Sequence, residues 1–496
     1  MKPHRLANQY PGRATGGLSI TNRSPGSTVP RLTSRTMARC IARVVVGMIR
    51  FYTPRVPRSA TARAAPLQCS YDRGVPMTDP VHRVALVSMH TSPAALAGSG
   101  DSGGMNVSLL ATATELAARG VEVDLITRAT GEAAVTTLAD GVVLHELAAG
   151  GRRVIAKDRL GEVADEFGEA VAQLTGRAAP RYDVIHAHYW LSGLATLPVA
   201  LELGLPFVQS FHTLGAMKNA NLAPGQAPEP ERRLLTEMYL ANQASAIVAG
   251  SSAEVSSLID MVRAPADRVW VIPPGVDVEL FSPTRADAAH SRVRRELGIA
   301  DGSPIIAVVG RVQPLKDQEL AIRVLAELHA LRDSDAVLVV AGEATPGDDD
   351  YAASLRSTAA ELGVLAAVRF AGALSRERLA DLLATATVTL VPSHSETFGL
   401  VALESAASGT PAIAFRGGGL IESVSAGVSG LLIDSRDPGT WAQATAALLD
   451  DGTDLERLSA SARHYAEGFT WAATATALIG VYASLGRVGG SAQGRP

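Results

Sequence analysis

Residues 84–106 read VALVSMHTSPAALAGSGDSGGMN, an apolar β-branched run, a glycine-rich loop and the opening of a helix that continues to Arg119. A short strand that is apolar on both faces belongs inside a parallel sheet covered by helices. Glycines at the strand-to-helix turn let backbone approach a ligand, beside the unpaired N–H groups and positive dipole end of the helix. The spacing Gly98-x-Gly100-x-x-Gly103 is that of a dinucleotide loop, yet His90–Ala97 separate it from the strand, which is long for that turn. The loop therefore reads as a phosphate-binding helix start rather than a nicotinamide or flavin site, with a plain glycine-rich surface loop as the bland alternative.

Outward from this stretch the pattern alternates. Strands are expected at Val84–Met89, Val121–Thr127, Val142–Leu147, Val184–Tyr189, Phe207–His212, Ala246–Gly250 and Val269–Ile272, with helices at Gly104–Arg119, Ser192–Leu203, Glu231–Asn242 and Ala253–Val262. After a polar stretch the alternation restarts, with strands Ile305–Gly310, Val337–Gly342, Val368–Ala371, Val388–Val391 and Ala412–Phe415 and helices Asp317–Leu331, Tyr351–Leu362, Arg376–Ala384 and Leu400–Ser408. The fold class is α/β, two Rossmann-like doubly wound domains facing a central cleft, because ligands of such sheets sit beyond the carboxyl ends of the strands. The division is a basic leader over 1–81, a first domain over 82–272, a linker over 273–303, a second domain over 304–468, a crossover helix over 469–486 and a loose tail over 487–496.

The net charge of −4 conceals a split. Residues 1–71 contain Lys2 and eleven arginines without one carboxylate, whereas from residue 82 onward 32 basic residues face 47 acidic ones. A body this acidic is a poor partner for nucleic acid, so any anion must be held by local, preorganised groups. The leader has the composition of a transit peptide, of a disordered tail, or of sequence upstream of a start at Met77, and it is not expected to pack. Its apolar run Ile41–Ile49 is broken by Arg43 and too short to span a bilayer. Both cysteines, Cys40 and Cys69, precede the body, which excludes thiol chemistry there and suits a reducing cytoplasm.

Three further stretches carry chemistry. Gly310-Arg311-Val312-Gln313-Pro314-Leu315-Lys316-Asp317 joins a strand to a helix, Arg311 offering a fork for phosphate oxygens and Lys316 a point charge. Fixed cations there would stabilise a departing diphosphate. Next, Ser393–Glu404 places Glu396 before a helix and Glu404 within it. The helix start can take a phosphate while each carboxylate accepts from hydroxyls, one on a sugar and one on a ribose. The last, His186-Ala187-His188-Tyr189-Trp190 with His212-Thr213, hints at metal but lacks a matching third ligand, so core packing explains one histidine and substrate contact Tyr189 and His212.

Together HTSP, GDSGGMN, HAHYWLSG, FHTLGAMKN, GRVQPLKD, SETFGLVALE and ASGTP resemble the retaining family-four glycosyltransferases of the GT-B fold, and among them the branch that acts in mycothiol biosynthesis. The likeness spans about residues 83–485. It implies transfer of N-acetylglucosamine from UDP-N-acetylglucosamine to 1D-myo-inositol 3-phosphate by a cytoplasmic homodimer, without a cofactor for the chemistry; a sister enzyme with another acceptor and a non-catalytic nucleotide-binding protein are the rival readings. By the resemblance Gly104, Arg311, Lys316, Glu396 and Glu404 face the donor, and Arg311, Lys316, Glu396 and His212 serve catalysis. His90, Asp101, Ser102, Gly103, Gly104, Met105, Asn106, Lys157, Tyr189, Thr213 and Arg233 surround the acceptor, with Lys157, Thr213 and Arg233 as a phosphate clamp. A magnesium ion is implied near Ala386 and Thr410, although Leu383-Ala384 replaces the family's Tyr-Arg pair there. Leu96-Ala97 in the first loop and Asp317 after Lys316 are the other departures.

Overall fold

The computed structural model describes residues 80–332, 334–345 and 347–486. The leader, apart from its last two residues, and the tail lie outside the described residues. Strands β1 (Arg83–Ser88), β2 (Glu122–Arg128), β3 (Ala134–Ala139), β4 (Val142–Leu147), β5 (Val184–His188), β6 (Phe207–Ser210), β7 (Ala246–Ala249) and β8 (Val269–Val271) form one sheet in the order β3-β4-β2-β1-β5-β6-β7-β8. Strands β9 (Ile305–Val309), β10 (Val337–Ala341), β11 (Val368–Gly372), β12 (Val388–Val391), β13 (Ala412–Phe415) and β14 (Gly430–Ile433) form the other, ordered β11-β10-β9-β12-β13-β14. Apart from the antiparallel β3–β4 pair every ladder is parallel. The order reverses beside β1 in the first sheet and beside β9 in the second, so each half opens a crevice there.

The expected strands and helices are present, with ends shifted by a few residues. β3 was not expected. It is a largely exposed edge strand without an apolar run, joined to β4 by the Asp140-Gly141 turn with Gly141 at φ +75°. β14 was missed as well, being four residues at an edge of the second sheet. The stretch 273–303 is more than a linker. It contains the helix Ala286–Leu297, and Val276, Phe281, Ala289, Val293 and Ile299 sit in the second half's core. Asp381 of the helix Arg376–Thr385 ties it down, pairing with Arg285 at 2.7 Å and with Arg292.

The helix Trp471–Leu485 returns to the first half, where Leu478, Val481 and Tyr482 join the core formed by β1, β2 and the helix Gly104–Ala117. The two chain crossings touch. Val276 N donates to Phe469 O at 2.9 Å, and a Cβ at Gly275 would stand 2.2 Å from Trp471 N, so only glycine fits there. By length and hydropathy the stretch Gly452–Leu485 could cross a membrane, but it is two helices, Gly452–Ala466 and Trp471–Leu485, packed on different halves.

Candidate active site

The carboxyl ends of the two sheets enclose a cleft of about 1010 Å³ lined from both halves. The halves meet at its rim. Glu343 N donates to Gly98 O at 3.1 Å, Thr397 Oγ1 donates to His212 O, and Ser251 Oγ donates to Thr397 O at 2.6 Å. A Cβ on Gly104 would lie 3.0 Å from Leu400 Cδ1, so the start of the helix Gly104–Ala117 closes on the start of the helix Leu400–Ala407. Three of the four non-glycine residues with left-handed backbone among the described residues, Tyr189, His212 and Asp317, lie at or beside this cleft. Such backbone is costly and persists where surrounding contacts impose it.

On the second-half wall Lys316 and Glu396 form an ion pair, and Ser393 Oγ donates to the same carboxylate oxygen at 2.8 Å. Arg311 reaches across, its Nη1 3.7 Å from Asp101 Oδ1. Asp317 begins the helix Gln318–Leu331 with φ +52°, caps Leu320 N and holds Arg436 at 2.9 Å, which explains the acid after Lys316. Glu404 is buried and paired with Arg376; burial pushes its carboxyl up, and Arg376 opposes the shift. Arg376 also lies 4.6 Å above the ring of Phe281.

The first-half wall is built by the loop after β1. Asn106 Oδ1 accepts from Gly103 N at 3.0 Å while its Nδ2 donates to Thr91 Oγ1 and Ser92 O, closing the loop in place of a side-chain cap. Lys157 binds Asp101 Oδ1 at 2.9 Å, and its ammonium stands 5.3 Å from the centroid of Tyr189. His90 packs against the same ring, centroids 4.3 Å apart. Arg233 is only 2% exposed, and its guanidinium donates to Glu237 Oε1 at 2.7 Å, to Thr213 O and Oγ1 at 2.9 and 3.0 Å, and pairs with Glu229 Oε2 at 2.9 Å. Burial works against its charge, but Tyr189, Glu237 and Glu229 outweigh it and raise its pKa. Lys157 is lowered, first by burial and then by Arg311 and Arg233, against the pull of Asp101.

The structure thus brings Arg311, Lys316, Glu396, Glu404, His212, His90, Asp101, Gly103, Gly104, Met105, Asn106, Lys157, Tyr189, Thr213 and Arg233 to one cleft. Ser102 is buried behind it, 3.0 Å from Thr91 Oγ1, where it shapes the loop. His186 is a core residue, bonded to Tyr482 OH at 2.7 Å and Ser210 Oγ at 2.9 Å. Burial holds His186 at about 3 and His212 at about 4, and His90 and His188 well below the ordinary value, so all four are neutral at pH 7. Sequence reasoning overlooked the partners Arg376, Glu229, Lys218 and Ser393. Lys218 lies within the quoted FHTLGAMKN stretch, but nothing local signals its pair with Glu229.

At Ala386 and Thr410 a magnesium ion would meet backbone carbonyls and a hydroxyl rather than carboxylates. The Thr410 hydroxyl donates to Leu383 O at 2.6 Å and Ala386 O at 3.2 Å, and among the described residues no three His, Cys, Asp or Glu side chains converge as a metal site.

Two doubly wound halves with a cation-lined cleft, and a short helix with one glutamate before it and one within it on the second wall, define a glycosyltransferase of the GT-B type. Residues 102–280 match Glycosyltransferase Family 4 and residues 290–465 match Glycosyl transferases group 1. The chain is 41% identical over 415 residues to a protein of Acidothermus cellulolyticus named D-inositol 3-phosphate glycosyltransferase, spanning 82% of this chain and 91% of that one. It is 42% identical over 406 residues to the protein of that name from Stackebrandtia nassauensis, spanning 81% and 91%. The chain belongs to the D-inositol 3-phosphate glycosyltransferase family. Among solved structures it is similar to the sucrose-phosphate synthase of Thermosynechococcus elongatus, with a TM-score of 0.73, 30% identity and coverage of 82% and 99%. Anabaena HepE, solved with UDP and glucose, shares the fold at a TM-score of 0.65 and 20% identity, with 80% and 97% covered.

Proposed function

We propose that this enzyme moves N-acetylglucosamine from UDP-N-acetylglucosamine to a hydroxyl of 1D-myo-inositol 3-phosphate with retention at the anomeric carbon. The observation that supports this reading best is the partition of the cleft. The wall of Arg311, Lys316, Glu396 and Glu404 suits a sugar diphosphate. The wall of Lys157, Thr213 and Arg233 suits a small acceptor carrying a phosphate.

Among the carboxylates that line the cleft, Asp101, Glu229, Glu396 and Glu404 are each held by a cation and Glu254 is kept protonated by burial, which makes these five poor nucleophiles. Retention then follows from front-face attack. The bond from the anomeric carbon to the UDP oxygen breaks, the acceptor oxygen bonds to the same face, and the acceptor's proton passes to the departing phosphate. Arg311 and Lys316 stabilise the charge that gathers on that leaving group. The reading includes a homodimer acting in the cytoplasm, which the absence of cysteine after Cys69 suits.

The test is incubation with UDP-N-acetylglucosamine and 1D-myo-inositol 3-phosphate, following UDP and the glycosylated inositol phosphate. UDP release that requires a different acceptor would overturn the assignment.

A further inference from the structure

His212 lines the cleft with its backbone in the left-handed region at φ +58°, and its carbonyl accepts from Thr397 of the other half. The ring is held from one side only. Its Nε2 lies 2.8 Å from Nδ1 of His188, the rings are 27° from coplanar, and no hydrogen bond among the described residues engages His212 Nδ1. His188 is 6% exposed, carries the ring of His186 at 4.2 Å between centroids, and its own Nε2 is buried without a partner.

Both rings are neutral, so the contact holds one proton and has two arrangements. If His212 Nε2–H donates, His188 must carry its remaining proton on Nε2, leaving a buried N–H with no acceptor. If His188 Nδ1–H donates, His188 Nε2 is a bare lone pair and His212 carries its proton on Nδ1. Among backbone groups an orphaned buried N–H is rarer than an under-satisfied acceptor, and the same ranking favours the second arrangement. The tautomer follows from the network, as it must where hydrogens are assigned from their partners.

We propose that His188 is the positioning residue of this site: it locks His212 as the Nδ1–H tautomer, presenting a hydrogen-bond donor to an oxygen of the transferred sugar. The role of the donor rests on the proposed reaction; the tautomer rests on the packing alone. A side chain fixed this way needs no reorganisation when the sugar oxygen arrives, which is how a hydrogen bond contributes to turnover as well as to binding.

Ring ¹⁵N spectra of the whole protein labelled at histidine test this, with His212→Gln identifying the His212 signals. Expected are a protonated Nδ1 and a bare Nε2 on His212; the reverse pattern overturns the proposal. His188→Asn keeps a donor where Nδ1 stands, whereas His188→Leu removes it at similar volume. His188→Leu should mix the His212 tautomers and lower kcat about tenfold, with the acceptor KM within about twofold and most of the turnover restored in His188→Asn. Equal losses in both variants, or an unchanged kcat in His188→Leu, overturn the positioning role. If His188→Leu does not fold, the unsubstituted protein's spectrum and His188→Asn still decide. If inositol phosphate is not the acceptor, the spectrum keeps its meaning, so the two failures are distinguishable.

Discussion

Asp101 and Arg311 face each other across the cleft, one from each half, with Arg311 Nη1 3.7 Å from the carboxylate oxygen that Lys157 holds at 2.9 Å. One carboxylate thus stands between a cation assigned to the acceptor and a cation assigned to the donor. An incoming phosphate must compete with it for Lys157. Asp101→Asn is therefore expected to tighten inorganic phosphate binding severalfold in calorimetry. The pair is partly exposed, so the stability change should stay within about 1 kcal/mol. Weaker phosphate binding in the variant would contradict the competition.

Lys316 and Glu396 form a neighbouring pair that sits on the leaving-group side. Lys316→Ala should cost about 2–4 kcal/mol of barrier, as removal of other transition-state charge donors does, with little change in the thermal midpoint. Steady-state kcat alongside a thermal melt checks both. Unchanged turnover would remove Lys316 from catalysis.

Arg233 is a poor probe of the acceptor alone, because Glu237, fully buried, depends on it. Arg233→Ala leaves that charge without its partner and should destabilise the protein by about 3–5 kcal/mol, measured by urea unfolding. The clean probe of the phosphate clamp is Lys157→Ala, expected to raise the acceptor KM while leaving the donor KM within about twofold. A shift confined to the donor would reverse the assignment of the two walls.

Glu254 is 1% exposed, and burial pushes its carboxyl up to about 8 although Gly250 N donates to it at 2.8 Å. Between the unfolded value near 4.5 and 8 the native state keeps a proton that the unfolded state releases, so this group lowers stability as pH rises through that window. Glu254→Gln removes the linkage. Its stability relative to the unsubstituted protein should grow from pH 5 to pH 8 and then level off in urea midpoints. A pH-independent difference would mean that Glu254 is ionised in the folded protein.

The histidines predict the opposite behaviour. With His212 at about 4 and His186 at about 3, the unfolded chain binds protons that the native state refuses below about pH 6.5, so stability falls as pH falls toward 4. The kcat profile should show no histidine limb between pH 6 and 8. A limb near 6.5 that disappears in His212→Gln would refute the neutral, buried cluster.

Much of this site was legible beforehand because its glycines, cations and glutamates occur at strand ends and helix starts, where local sequence fixes backbone direction. Arg311, Lys316, Glu396 and Glu404 were found this way, and so was the loop ending at Asn106. The helix Ala286–Leu297 escaped notice because it is polar on all but one narrow face, with Ala289 and Val293 buried. β3 escaped because an exposed edge strand need not be apolar.

By itself the sequence determined the two alternating halves and which side chains stand at the strand ends, since periodicity and glycine placement are local properties of the chain. Tertiary structure alone decided that Arg376 answers Glu404, that Arg233 is enclosed by Glu229 and Glu237, and that His188 holds His212. The Arg376–Glu404 and His188–His212 contacts join separate segments of the chain, whereas Arg233 and its two glutamates are one helical turn apart and only the surrounding packing encloses them. Close approach and loss of water set their strength, and neither is encoded in any local window of residues.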